Sequence, residues 1–447
     1  MSQPTSSGAE GVPQDDPGRT TTMTDGYIQH RRAIEALRSG VPSRDAVRAL
    51  GIAQPEIEEQ FAERLEATKD GITAGTQAPG LLVDGDFGSG KSHLLEYLQH
   101  AALEQGFVCS KIVISKETPL YDPAKLYRAA IEAAVVPGRK GAALTEVASR
   151  LQSDSAGYAA LDTWANRAES ELNSRFAATL YLYRRVRVSD GEIADRIVRF
   201  WAGDPLNVSE LRRWLRAYGE TASYRLEKVT ARELTLQRFR YAPRLMSAAG
   251  YAGWVLLVDE VELIGRYSIK QRSRSYAELA RWAGRLHDQR FPGLVTVFAI
   301  TSDFGRAVLE DRGDEESVPA RLRGSGLDAD RMLASQAERG MRFISREAVP
   351  LRPADRGLID QTREQVQDVY ARAYDWQPPA LTARDDLALR MRQHVRRWIN
   401  EWDLLRLYPG EHVETVIGEL HPNYAENLDL EVSSEGDSAE DGPAESV

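Results

Sequence analysis

The chain has 447 residues, a formal net charge of −10 and one cysteine, so it can bury the cores of two or three domains without covalent staples. Cys109, alone and inside the apolar run FVCSKIVI, excludes a disulfide framework and reads as a buried strand residue rather than a nucleophile or metal ligand. With no charged-then-apolar leader and no apolar run of about 18 residues, secretion and membrane insertion are not expected, and the expected setting is a reducing cytoplasm.

The acidic excess sits at the ends. Residues 430–447 carry six acids and no base, and residues 1–25 carry four acids against Arg19. Both stretches lack periodic apolar residues, so 1–25 and 421–447 are expected to be disordered tails around a near-neutral folded part. Residues 26–75 place apolar positions at helical spacing, broken at SGVPS and GIAQP, which predicts three short helices with Ser43 as an N-cap. Two of them across a Gly-containing break are also compatible with a helix-turn-helix.

Residues 76–353 are expected to form the main α/β domain. The stretch LLVDGDFGSGKSHLLEYLQ (residues 81–99) opens it with a predicted strand, Leu81–Val83, and a helix from Lys91. Between them Gly85, Asp86, Phe87, Gly88, Ser89, Gly90, Lys91 and Ser92 satisfy G-x-x-x-x-G-K-[ST] without a gap. This is a P-loop: glycines turn successive N–H groups inward and the helix N-terminus adds positive potential. Lys91 reaches the β- and γ-phosphates, and the Ser92 hydroxyl ligates Mg²⁺. ATP and Mg²⁺ are therefore the expected ligands.

Residues 120–245 read as a helical insertion rich in arginine, with Trp164, Tyr181, Tyr183, Trp201 and Trp214 among the charges. WVLLVDEVEL then predicts a buried strand, Trp254–Val258, ending in Asp259 and Glu260, a Walker B pattern. Asp259 would hold Mg²⁺, directly or through water, and Glu260 would orient and deprotonate the attacking water. A third strand, Leu294–Ile300, ends in Thr301, Ser302 and Asp303.

This order, with a polar-tipped third strand, resembles the additional-strand ATPases called AAA+. The resemblance implies that Thr301 or Ser302 is sensor 1, and that Arg342 or Arg346, ahead of a short strand at Ala348–Leu351, is an arginine finger reaching a neighbouring subunit's nucleotide. Guanidinium suits that task because it is always charged and bridges phosphate oxygens. Residues 354–420 then correspond to a helical lid. Thr382 and Asp385 are a possible capping pair, and Leu387, Met391, Val395, Trp398, Trp402 and Leu405 form its apolar stripe. Arg396 or Arg397 beside that stripe occupies the place of the AAA+ sensor 2 arginine, with solvated helix flank as the plain alternative.

RSGVPSRDAVRALG before the P-loop and the DEVELI context of the Walker B segment are similar to the ATP-binding proteins of bacterial BREX phage-defence loci, the BrxD-type P-loop family. The similarity runs over about residues 27–420. It implies a cytoplasmic defence ATPase working with other BREX components, whose nucleotide state governs self-association and contact with partners or DNA. DNA contact, if it occurs, is expected to be double-stranded, mostly non-specific and centred on Arg184, Arg185, Arg187, Arg196, Arg199, Arg212, Arg213, Arg216 and the basic stretch Arg266–Arg274. Two other classes fit the same motifs: an ATP-binding signalling switch or adaptor with little hydrolysis, and a P-loop kinase. The kinase is disfavoured because Asp259–Glu260 is a water-activating pair.

Overall fold

Runs of apolar residues buried on both faces build a sheet at the centre of residues 76–353, as a sheet covered by helices requires. In the computed structural model, which describes residues 17–41, 43–139, 141–381, 389–409 and 424–430, the strands are β1 (Leu81–Asp84), β2 (Val108–Val113), β3 (Ala134–Val135), β4 (Trp254–Asp259), β5 (Leu294–Ile300) and β6 (Ala348–Pro350). Their order is β3-β2-β4-β5-β1-β6. All neighbours are parallel except the two-residue β3, which runs antiparallel to β2 and departs from the all-parallel expectation. Thus β5, the third strand of the sequence reading, lies between the P-loop strand β1 and the Walker B strand β4, and all three end on the same edge. Cys109 is fully buried on β2, as expected.

The chain divides into two compact units, Met1–Gly51 with Ala354–Ile417, and Ile52–Pro353 with Gly418–Val447. The expected helical segment 26–75 is therefore split. Its third helix, Pro55–Ala74, turns Ile57, Phe61 and Leu65, four residues apart, onto the sheet core with Leu81, Val83 and Leu94. The helices Pro17–Ser39 and Arg44–Leu50 instead share a core with Arg356–Tyr374 and Met391–Leu407, in which Ile34, Tyr370, Trp398 and Trp402 are buried. The first begins at Pro17, inside the stretch expected to be a tail. Ser43 caps as predicted, its hydroxyl accepting from Ala46 N at 3.2 Å. In the expected lid stripe Val395, Trp398 and Trp402 are buried, while Met391 and Leu405 are half-buried. Leu387, Thr382 and Asp385 lie outside the described residues.

Among the described residues seven α-helices stand between β2 and β4, from Pro123–Glu132 to Ala231–Ala248. The aromatic residues singled out there are largely core. Tyr183, Trp201 and Trp214 are buried, the Tyr127 hydroxyl donates to Trp201 O at 2.7 Å, and Trp201 Nε1 donates to Thr179 Oγ1 at 3.0 Å. Trp164 lies under the Arg244 guanidinium, 4.3 Å from its ring centre. Among the described residues no helix is long and apolar enough to cross a membrane.

A candidate nucleotide site

The turn after β1 is held from two sides by backbone. Gly85 N–H donates to Ile300 O at 3.2 Å, and Ser302 N–H donates to Gly85 O at 3.3 Å, so the P-loop and the tip of β5 are tied together. Glycine is required at position 85, where a Cβ would stand 2.7 Å from Ser89 Oγ and 2.8 Å from Leu351 Cδ1. Gly90 caps the helix Lys91–Glu104 at φ 109°, a left-handed conformation that L side chains avoid. Phe87, Gly88 and Ser92 line the turn half-buried, while Asp86 is exposed.

Lys91 is 7% exposed and folds its ammonium back onto the loop, donating to Gly85 O at 2.7 Å and Asp86 O at 3.1 Å. Those carbonyls hold the ammonium inside the loop. Ser89 Oγ is buried with no hydrogen-bond partner among the described residues. A buried hydroxyl lacking a partner costs about 1–3 kcal/mol, which a phosphate oxygen would relieve. These residues fit a bound nucleotide.

At the end of β4, Asp259 is 7% exposed and its Oδ1 accepts from Glu260 N at 3.0 Å. Glu260 is exposed and left-handed, φ 57°. A non-glycine residue there carries strain of order 1 kcal/mol, which structures tend to keep at functional positions. No group of three or more His, Cys, Asp or Glu is arranged to hold a metal among the described residues. Magnesium beside a triphosphate needs no such cluster, because one or two protein oxygens complete a shell of phosphates and water; Ser92 and Asp259 suit it.

Sequence reasoning missed two residues of this edge. Glu262, in the turn after Asp259, has its carboxyl pushed up to about 7, chiefly by burial, with Lys91 opposing and Asp259 and Glu260 adding. Its Oε2 is buried without a hydrogen-bond partner among the described residues. The repeated acids of DEVEL were its signal. The other is Tyr424, whose hydroxyl meets Thr301 Oγ1 at 2.5 Å and donates to Asp303 Oδ1 at 2.8 Å. An acidic stretch expected to be a disordered tail gave no signal for it.

The two sensor 1 candidates are placed differently. Ser302 is exposed and its hydroxyl donates to the Asp86 carboxylate of the P-loop. Thr301 is 2% exposed and faces Tyr424. Arg342 and Arg346 are both exposed, one turn apart near the end of the helix Asp328–Glu347 that leads into β6. Arg396 is exposed on Met391–Leu407, in the other unit, and its neighbour Arg397 is mostly buried beside Glu401 at 3.2 Å. Of the basic surface residues, Arg184, Arg185, Arg187, Arg199, Arg212, Arg213 and Arg216 are exposed. Arg196 lies half-buried 3.7 Å from Glu210. The stretch Arg266–Arg274 is not a uniformly basic surface. Arg272 is 3% exposed and pairs with Asp314 at 2.7 Å, because a guanidinium this deeply buried needs a carboxylate partner.

No solved structure matches this chain. The model of the family described as BREX system ATP-binding protein BrxC/D matches residues 28–421, which include the P-loop, the Walker B turn, the tip of β5 and both finger candidates. The chain belongs to that family of BREX system ATP-binding proteins.

Proposed function

We propose that this protein is a magnesium-dependent ATPase of the AAA+ type serving a BREX defence system. The observation that carries the reading is the strand order: with β5 between β1 and β4, Lys91, Asp259, Glu260, Thr301 and Ser302 all stand on one edge of the sheet. Gly85 to Ser92 cradle the triphosphate, and Lys91 exchanges its two carbonyl partners for phosphate oxygens. Magnesium, when bound through Ser92 and Asp259, polarises the phosphate oxygens. Glu260 orients a water and takes its proton as the water oxygen bonds to the γ-phosphorus and the bond to the β–γ bridging oxygen breaks, releasing ADP and phosphate. Thr301 senses the γ-phosphate, while Ser302, already bonded to Asp86, steadies the loop. Arg396, or Arg397, acts as sensor 2 from the lid.

The exposure of Arg342 and Arg346 supports a finger given to a neighbouring subunit, and with it self-association that depends on nucleotide. Other BREX components are the natural partners. Arg184, Arg185, Arg199, Arg212, Arg213 and Arg216 offer an exposed basic surface for the phosphates of duplex DNA without reading its sequence.

The test is a pair of variants followed by ATP binding and phosphate release. Lys91→Ala abolishes binding. Glu260→Gln keeps binding and lowers turnover at least about 100-fold, or about 3 kcal/mol of barrier. Normal turnover in Glu260→Gln removes the catalytic assignment. Tight binding with no phosphate release in wild type makes the protein a signalling switch, and transfer of phosphate to a small acceptor makes it a kinase.

A further inference from the structure

The segment Tyr424–Leu430 does not behave as a tail. It lies across the turn that follows Asp259–Glu260 and across the tip of β5. The Tyr424 ring rests on Gly265, where a Cβ would stand 3.1 Å from Tyr424 Cδ1, and meets Phe304 edge-on at 5.8 Å. Arg312 donates to Gly265 O at 2.5 Å and also to Tyr424 O. Glu426 accepts from Arg272 at 2.6 Å, and Asn427 N–H donates to Arg266 O at 2.9 Å. Tyr424 and Leu430 are its apolar anchors on the core.

Counting protons at the end of this strap decides what it does. A tyrosine hydroxyl has one proton, and Tyr424 gives it to the Asp303 carboxylate, which only accepts. Toward Thr301 the Tyr424 oxygen is therefore the acceptor, and the single Thr301 proton is spent on it. A residue that senses a γ-phosphate must donate to a phosphate oxygen, and Thr301 has no second proton to give. The same tyrosine lies within the field of Glu262, which in turn interacts with Lys91. A γ-phosphate arriving on Lys91 thus brings negative charge into the field of Glu262, which also acts on Tyr424.

We propose that Tyr424–Leu430 is an autoinhibitory strap: it holds the Thr301 hydroxyl in an unproductive hydrogen bond, and its release hands that hydroxyl to the γ-phosphate. This rests on reading Thr301 as the phosphate sensor of an ATPase. With seven residues and two apolar anchors, the strap belongs to the weakly held elements that open well below global unfolding.

The experiment uses the full chain. Tyr424→Phe, which keeps the ring on Gly265 and Phe304 and removes only the hydroxyl, raises kcat about fivefold, the worth of one neutral hydrogen bond, with the ATP dissociation constant unchanged. In a Thr301→Ala background Tyr424→Phe brings no gain. A kcat that is unchanged or lower in Tyr424→Phe overturns the proposal, the lower value meaning that Tyr424 positions Thr301 for catalysis. Hydrogen exchange of residues 424–430, with and without ATPγS and magnesium, gives a readout independent of turnover. Faster exchange with the analogue is expected, and unchanged exchange overturns the strap. If wild type itself releases no phosphate above the Glu260→Gln level while exchange still responds, the hydrolysis reading fails and the strap stands as a nucleotide-driven release.

Discussion

The P-loop and the tip of β5 face each other across a few hydrogen bonds, yet they are built in opposite ways. The P-loop is a local object: Gly85 to Ser92 are contiguous, and its geometry follows from a tight glycine, a left-handed glycine and a helix N-terminus. The tip is assembled from afar. Thr301 and Asp303 meet Tyr424 from more than a hundred residues away, and Arg272 joins Asp314 to Glu426. A local object keeps its shape when distant contacts are cut. An assembled one is only as stable as its long-range pairs.

Cutting the strongest of those pairs gives the largest effect on folding. Arg272 donates to both Asp314 oxygens, at 2.7 and 3.0 Å, and Tyr276 donates to the same carboxylate at 2.7 Å. Arg272→Ala leaves a buried carboxylate with one donor and is expected to cost about 3–5 kcal/mol in urea unfolding. The double variant with Asp314→Ala costs less than the two single changes added, because no lone buried charge remains. A loss below about 1 kcal/mol for Arg272→Ala would show that the tip is held by packing alone.

Glu262 acts on both regions, on Lys91 of the P-loop and on Tyr424 at the tip, and sharpens the comparison through pH. Burial raises its carboxyl from 4.5 to about 7. Below pH 4.5 the folded and unfolded chains both carry the proton, and the stabilisation is fully present. Between 4.5 and 7 only the folded chain keeps it, so that stabilisation is lost as pH rises through 7. Without nucleotide and magnesium, Glu262→Gln is expected to gain on wild type by up to about 3 kcal/mol between pH 4 and pH 8, by denaturant titration at each pH. A constant difference between the two proteins would mean that Glu262 ionises as it does in water.

The same contrast governs what the sequence discloses. Elements set by neighbours along the chain were legible: β5 spans Leu294–Ile300 as predicted, the helix starts at Lys91, and Ser43 caps Ala46. Residues whose partners lie elsewhere were not. Arg272 looked like part of a basic surface because Asp314 is 42 positions away, and Trp201 looked like an aromatic among arginines because Tyr127 and Thr179 enclose it only after folding. Tyr424 sits among acids, and composition there outweighs a single aromatic. The candidate site is half visible for this reason: Lys91, Ser92, Asp259 and Glu260 belong to two short runs and Thr301 ends a third, whereas Glu262 acquires its character from burial and Tyr424 from partners far along the chain.

The surface of the insertion supplies the smallest effect on stability and a separate test of binding. Arg184 and Arg185 are exposed, their guanidinium groups 5.7 and 5.4 Å from the Tyr181 ring centre, so replacing them should change stability by no more than about 0.5 kcal/mol. Arg187, though exposed as a residue, turns its guanidinium onto Leu151 O and is expected to contribute little to any ligand. If this face neutralises the phosphates of duplex DNA, each lost contact flattens the log–log salt dependence by about 0.9. Replacing Arg184, Arg185 and Arg187 together with Glu should then reduce the slope by about 2 rather than about 3, and Arg187→Glu alone should leave it unchanged. Fluorescence anisotropy of a labelled duplex at several salt concentrations, with ATP binding as the folding control, measures both. Equal slopes in wild type and triple variant, or no binding by either, would assign this face to a protein partner. A full loss of three contacts would show that Arg187 leaves Leu151 for phosphate, and that this pairing yields to a ligand.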